Sequence, residues 1–208
     1  METINDSLNQ LDDTADRSYL KSANSIGFIE TLSAMANTDG GVIFIGFKEN
    51  QKVTGCFPDE EIATIHSFIT DGLTDTINVL ITKHVIEHKF ILQVEVPITS
   101  NKIGVNHFNK TKDFYFRLNG STIVVNKIVE VKWKLEKLQK KHSHSNESIG
   151  LLKVIEQHPN STLSKLYRSS NMPLKTVDAS LSLLLYLKKV EMFFEKDQIY
   201  YKIKDWMS

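Results

Sequence analysis

The stretch from Gly41 to Lys48 has the outline of a phosphate-binding loop, with Gly41, Gly46 and Lys48 in the required order. Its details argue against nucleotide hydrolysis. Phe47 separates Gly46 from Lys48, and no Ser or Thr follows the lysine to hold a magnesium ion. A phosphate loop is a backbone nest between a strand and a helix. Here Val42 to Ile45 is a continuous apolar run that reads as a strand buried on both faces. His142 and His144 suggest a metal, but no Cys or carboxylate accompanies them at ligand spacing, so they read as solvated. Cys56, between Gly55 and Phe57, reads as a small buried residue rather than a nucleophile. These residues provide no catalytic group, no metal site and no cofactor site.

Composition narrows the remaining classes. The chain has 208 residues, 25 Lys and Arg against 25 Asp and Glu, and 41% apolar residues. That length suits one large domain or one domain with a small appendage. The balanced charge gives no global field, so a polyanion would need a local basic patch. A single cysteine cannot form an intrachain disulfide, which points to a reducing, cytoplasmic setting. No apolar run approaches membrane-spanning length and the N-terminus has no signal-peptide core, so no membrane partner is expected.

The elements follow from periodicity and turn chemistry. Residues 1–18 are a polar, acidic arm. Residues 22–36 carry the apolar stripe of a helix, with Ile26, Phe28, Ile29, Leu32 and Met35. Asn37, Asp39, Gly40 and Gly41 then make a turn into the strand ending at Gly46. A return strand runs from Lys52 to Gly55, and Pro58 with its following acids opens a helix reaching Leu73. Residues 77–86 and 90–97 form a hairpin around Glu87, His88 and Lys89. Residues 99–112 are a polar loop. Two strands, 114–117 and 122–125, flank the Asn119-Gly120 turn. A basic helix follows over 127–141, with six lysines against Glu130 and Glu136.

The turn and strand carry a resemblance. Ala34-Met35-Ala36-Asn37-Thr38-Asp39-Gly40-Gly41, the strand to Gly46, and then Gly55 resemble the Schlafen AlbA_2 domain family, over roughly residues 15–135. Arg117, Gly120, Ser121 and Thr122 match a second element of that family, though Asn119 stands where its glycine is usual. The resemblance implies structural roles for Asn37, Thr38, Gly40, Gly41, Gly46 and Gly55. Schlafen-type ribonucleases of this family carry a Glu, then after four intervening residues a Glu-Phe-Lys, and a later third acid, which together hold a divalent metal. Aligned on Lys21, this chain has Thr14 and Tyr19 at the two Glu positions, with Glu49 as the third acid. Two of the three ligands are missing.

Residues 149–208 read as a helix, a second helix capped by Ser161 or Thr162, a turn at 169–173, a long helix over 174–190, and two strands around 195–198. That order resembles winged helix-turn-helix regulators, which implies that the long helix enters the major groove and the wing touches backbone. Lys175, Thr176, Asp178, Ser180 and Ser182 are its exposed candidates, with Lys165, Arg168 and Lys196 for phosphates. Arg117, Lys134 and Lys137 could add a composite patch. Leu181, Leu183, Leu184, Leu185 and Leu187 make the long helix apolar on more than one face, which suits a dimer contact.

Taken together, the expectation is an α+β protein. A mixed-sheet AlbA_2 (Schlafen-like) domain over 1–141 is followed by a linker, 142–148, and a small winged-helix domain over 149–208. The implied function is that of a cytoplasmic, homodimeric, non-catalytic DNA-binding transcriptional regulator, with RNA as the other candidate nucleic acid. The competing readings are a metal-dependent endoribonuclease and a protein-interaction or dimerisation module.

Overall fold

The computed structural model describes residues 14, 16–25, 27–48, 52–107, 111–138 and 143–204. The chain divides into two compact units, Met1–Val124 and Val125–Ser208, and has the mixed α+β character expected.

The first unit is organised around β2 (Gly41–Ile45). It pairs in parallel with β1 (Arg17–Leu20), so that Tyr19 lies beside Phe44. On its other side it pairs antiparallel with β4 (Lys89–Val96), which pairs in turn with β3 (Leu80–Ile86). The order of this mixed sheet is β1-β2-β4-β3. A second, antiparallel sheet has the order β5 (Gly104–Asn106), β6 (Lys112–Leu118), β7 (Ser121–Val124). Helix α1 (Phe28–Asn37) supplies Phe28, Leu32 and Met35 to a core shared with Ile43, Ile45, Leu92 and Val94. Helix α2 (Pro58–Ser67) runs on into a π-helical turn, Phe68–Gly72.

Alternation along β2 explains its composition. Ile43 and Ile45 face the main core, while Phe44 turns to the opposite face and joins Tyr19, Phe47, Val53 and Ile91. Both faces are therefore apolar, as the continuous run predicts.

The corner before β2 is held by buried polar groups. Asn37 donates to the carbonyls of Ile103 (2.7 Å) and Tyr115 (3.0 Å), and its Oδ1 accepts from Ile103 N at 2.7 Å. Thr38 Oγ1 donates to Ala34 O at 2.8 Å and accepts from Arg117 N at 2.9 Å. Gly40 has φ +74°, and a Cβ there would lie 2.8 Å from Val96 O. A Cβ on Gly41 would lie 2.6 Å from Asp16 O, so this glycine lets β1 approach. Gly46 O accepts from the amides of Thr54 (2.8 Å) and Gly55 (3.0 Å), closing the return after β2.

Three features of this unit depart from expectation. Residues 17–20 form β1 rather than the end of an arm. The helix expected over 22–36 begins at Phe28, because Gly27 at φ +104° interrupts it and Glu61 accepts from Ser22 Oγ and Ala23 N. The polar loop 99–112 contains β5, which pairs antiparallel with Lys112, Asp113 and Phe114 at the start of β6.

The second unit contains α3 (Lys127–Leu138), α4 (Asn146–Gln157), β8 (Ser161–Thr162), α5 (Leu163–Ser169), α6 (Leu174–Tyr186), β9 (Val190–Glu195) and β10 (Gln198–Ile203). Its sheet has the order β8-β10-β9. Ile128, Leu151, Ile155, Leu166, Val177, Leu181, Leu184 and Tyr201 form its core. The basic helix grouped by sequence with the first domain packs here, its Ile128 buried beside α6. The linker expected over 142–148 ends early, because Ser145 and Ser148 form a reciprocal capping box that starts α4. Helix α6 stops at Tyr186 rather than Val190, with Lys188 at φ +55°. Among the described residues, no helix is long and apolar enough to cross a membrane.

Candidate nucleic-acid interface

Thr162 begins α5 by accepting from Lys165 N, and the chain then turns through Asn171 at φ +56° into α6, which Pro173 opens. Lys165 and Arg168 are exposed on α5, and Lys175 is exposed at the start of α6 beside half-buried Thr176. These four expected residues thus stand on the two helices that flank the turn. Lys134 and Lys137 are exposed on α3. His144 is exposed, whereas His142 and Glu49 lie outside the described residues.

The outward stripe of α6 continues through Ala179 and Leu183, not through the polar residues expected. Asp178, Ser180 and Ser182 are all buried. The reason is the packing of α3 on α6, which covers a second face of that helix. Ser182 Oγ lies 3.0 Å from Ile128 O and 2.7 Å from Asp178 O. The same packing buries a second face of α6, which accounts for apolar residues on more than one side of that helix.

Asp178 changes meaning once buried. Its carboxylate accepts from Tyr167 Oη at 2.5 Å and pairs with Lys127 Nζ at 2.9 Å. Burial, then the hydrogen bond to Asp178 and its charge, push the Tyr167 hydroxyl up to about 12. Asp178 is the one carboxylate between Ser161 and Lys189, a stretch holding Lys165, Arg168, Lys175, Lys188 and Lys189. The outward surface of α5 and α6 therefore carries cations and no acid. A groove of about 420 Å³ runs between this face of α6 and the start of α4, and Glu147 brings a carboxylate to its rim opposite Lys175.

Lys196 sits at the tip of the β9–β10 hairpin at φ +49°, with Glu195 at 3.5 Å. Behind it the structure shows two residues that sequence reasoning missed. Phe193 and Tyr200 are register partners across the hairpin, their rings 5.3 Å apart and 17° from parallel. Both are half-buried and stand outside the core cluster. The signal was the period of two, which places Val190, Met192, Ile199, Tyr201 and Ile203 inward and Phe193 and Tyr200 outward.

In the first unit, Arg117 is not available to phosphate. It is only 5% exposed. Its guanidinium donates to Thr122 Oγ1 at 3.0 Å and to the carbonyls of Thr14 (2.6 Å) and Arg17 (3.1 Å). An arginine at the edge of an aromatic strand reads as exposed only when its carbonyl partners, a hundred residues earlier, are unknown.

Tyr19, aligned above with the second Glu of the ribonuclease pattern, is stacked on Phe44 with centroids 5.2 Å apart and edge-on to Phe47. Thr14 Oγ1 donates to Asp16 Oδ1 at 2.6 Å, and this bond holds the Asp16 carboxyl below the usual carboxylate range. Among the described residues, no three of His, Cys, Asp and Glu gather as a metal ligand set.

No protein of curated function matches the chain. Among solved structures it is similar to the DIP2311 protein from Corynebacterium diphtheriae, at 11% identity and a TM-score of 0.46, over 75% of this chain and 38% of that one. The chain thus spans well under half the length of that protein. It is also similar to the N-terminal domain of a RecG-related protein from Nitrosomonas europaea, at 20% identity and a TM-score of 0.40, over 54% of this chain and 81% of that one. The family model of Schlafen, AlbA_2 matches residues 9–126, which span both sheets of the first unit and the Asn37–Gly41 corner. The chain belongs to the Schlafen AlbA_2 family.

Proposed function

We infer that the protein is a non-catalytic, homodimeric DNA-binding regulator of transcription whose second unit is a winged helix-turn-helix reader. Schlafen AlbA_2 domains are associated with nucleic-acid binding, which supports a nucleic-acid role in general. The observation that carries the finer reading is the burial of Asp178. With its carboxylate spent on Tyr167 and Lys127, α5 and α6 present Lys165, Arg168, Lys175 and Thr176 and no exposed acid of their own, Glu147 of α4 being the acid that lines the groove with Lys175. In a helix-turn-helix the start of the second helix meets base edges while the first helix crosses the backbone. Lys175 and Thr176 take the first role, and Lys165 and Arg168 the second. Lys196 at the hairpin tip reaches flanking phosphates, and Lys134 and Lys137 extend the basic surface.

Tyr19 argues against the endoribonuclease reading. A metal-binding carboxylate at that place in β1 would have to replace an aromatic ring packed against Phe44 and Phe47.

The test is binding of labelled duplex DNA by the full chain across a salt series, with a Lys165→Glu/Lys175→Glu variant alongside. The expected result is affinity that falls with salt and is lost in the variant. Equal binding by the variant, or no binding of duplex at low salt, overturns the reading. RNA cleavage that requires added Mn²⁺ or Mg²⁺ would establish the nuclease instead.

A further inference from the structure

We propose that β3 is the dimer contact of the first unit: two copies pair edge to edge, β3 antiparallel to β3, about a two-fold axis at Lys83. This rests on the homodimer inferred above and gives it a surface.

Strand β3 ends the order of the mixed sheet, and among the described residues no strand pairs with its outer edge. That edge is seven residues long and free of proline, so it offers a row of main-chain donors and acceptors to another strand. Leu80 and Val85 on it are 59% and 63% exposed. Phe90, the register partner of Val85 on β4, is 51% exposed, so the apolar surface continues from the edge onto the next strand.

The order of residues selects a second copy as the occupant. The strand reads Leu80-Ile81-Thr82-Lys83-His84-Val85-Ile86. A two-fold axis normal to the sheet keeps each face on its own side, so the strand has to match its own reverse. With the axis at Lys83, Leu80 meets Ile86, Ile81 meets Val85, and Thr82 meets His84. Each apolar residue then faces an apolar one, and each polar residue a polar one. Moving the axis to Thr82 sets Leu80 against His84 and Ile81 against Lys83. Moving it to His84 sets Thr82 against Ile86 and Lys83 against Val85. Of the three registers, the one centred on Lys83 is self-complementary on both faces.

The charges at the axis are balanced. Each Lys83 Nζ lies 2.7 Å from Asp59 Oδ1, so each copy brings a neutral pair there. The joined strands are about 23 Å long, and their ladder adds about six to eight main-chain hydrogen bonds between copies. Pairing of this extent is at the small end of specific interfaces, so the expected dissociation constant is micromolar.

The test is sedimentation equilibrium of the full chain from about 1 to 100 µM, with a Leu80→Lys/Val85→Lys variant alongside. Both positions are exposed, so the variant is expected to keep the circular dichroism of the parent and to dimerise at least about tenfold more weakly. Register is read from single cysteines in a Cys56→Ser chain, oxidised with diamide. Lys83→Cys sets its thiol opposite the same thiol of the second copy and is expected to give a disulfide-linked dimer. Leu80→Cys sets the two thiols about 20 Å apart and is expected to give none. Undiminished dimerisation of the lysine variant, or linkage through Leu80→Cys as ready as through Lys83→Cys, overturns the proposal and leaves the homodimer on another surface. A parent that stays monomeric at the highest concentration overturns the homodimer as well, and leaves the edge to an extended segment of a different protein.

Discussion

Asp178 on α6 and Lys127 at the start of α3 are paired at 2.9 Å, and the acid is the buried partner. The pair, with the Tyr167 hydroxyl on the other carboxylate oxygen, fastens three helices of the second unit together. Asp178→Ala strands the Tyr167 hydroxyl in a half-buried site and is expected to cost about 1–3 kcal/mol in urea unfolding. Asp178→Asn keeps a hydrogen-bond acceptor and should cost less. Neither should tighten duplex DNA binding. An affinity gain in Asp178→Asn would mean that the carboxylate faces the nucleic acid after all.

Asn37 satisfies two carbonyls and one amide that have few alternatives inside the first unit. Asn37→Ala leaves Ile103 N and Tyr115 O without it, and the expected loss is about 2–4 kcal/mol. Asn37→Asp sets a carboxylate against the Ile103 and Tyr115 carbonyls and should be at least as damaging at neutral pH. Thermal unfolding of the two variants beside the parent checks both statements.

Gly40 and Gly27 separate crowding from backbone strain. Both have positive φ, +74° and +104°. A Cβ at Gly40 meets a backbone carbonyl at 2.8 Å, whereas at Gly27 the nearest atom is the Glu30 side chain at 3.8 Å. Gly27→Ala should therefore cost about 1 kcal/mol, the strain alone, and Gly40→Ala about 2–4 kcal/mol. Equal losses would show that the carbonyl of Val96 moves aside freely.

Alkaline pH should loosen the second unit. Burial first, then the charge of Asp178, pushes the Tyr201 hydroxyl up to about 12, and Tyr167 is raised to the same range. An unfolded tyrosine ionises near 10. The unfolded chain therefore releases these protons first, and stability present below about pH 10 declines as pH rises towards 12. Absorbance titration at alkaline pH should show tyrosines ionising late in the folded protein. Tyr167→Phe should remove one of them.

Much of this architecture was legible in the sequence because it rests on local signals. The β2 run, the Asn119-Gly120 turn and the leucine periodicity of α6 are set by neighbours within a few residues. Strands β1 and β5 were not legible. Arg17–Leu20 has its partner beyond a helix and a turn, at Val42–Ile45, and Gly104–Asn106 is too short to show any alternation although its partner follows closely. At the candidate interface, Lys165, Arg168, Lys175 and Thr176 could be placed from helix order alone. Asp178, Ser180, Ser182 and Arg117 were misplaced for one shared reason. Each is a polar residue whose partner belongs to a different element, and composition cannot reveal that pairing. Phe193 and Tyr200 were overlooked because an apolar run does not by itself show which of its members turn away from the core.

Arg117 reaches back 103 residues to the Thr14 carbonyl and 100 to that of Arg17. Strand β1 is thus locked by a side chain made long after it. On the ribosome, β1 leaves the exit tunnel well before its anchor does and must wait for β6 to be synthesised. Such a distant closure is slow to form compared with the local contacts of α1 and β2. A chain halted before residue 117 would carry the Asn37–Gly41 corner without the guanidinium that secures its neighbouring strand. That interval is when a chaperone or a protease would find the N-terminal end of the domain open.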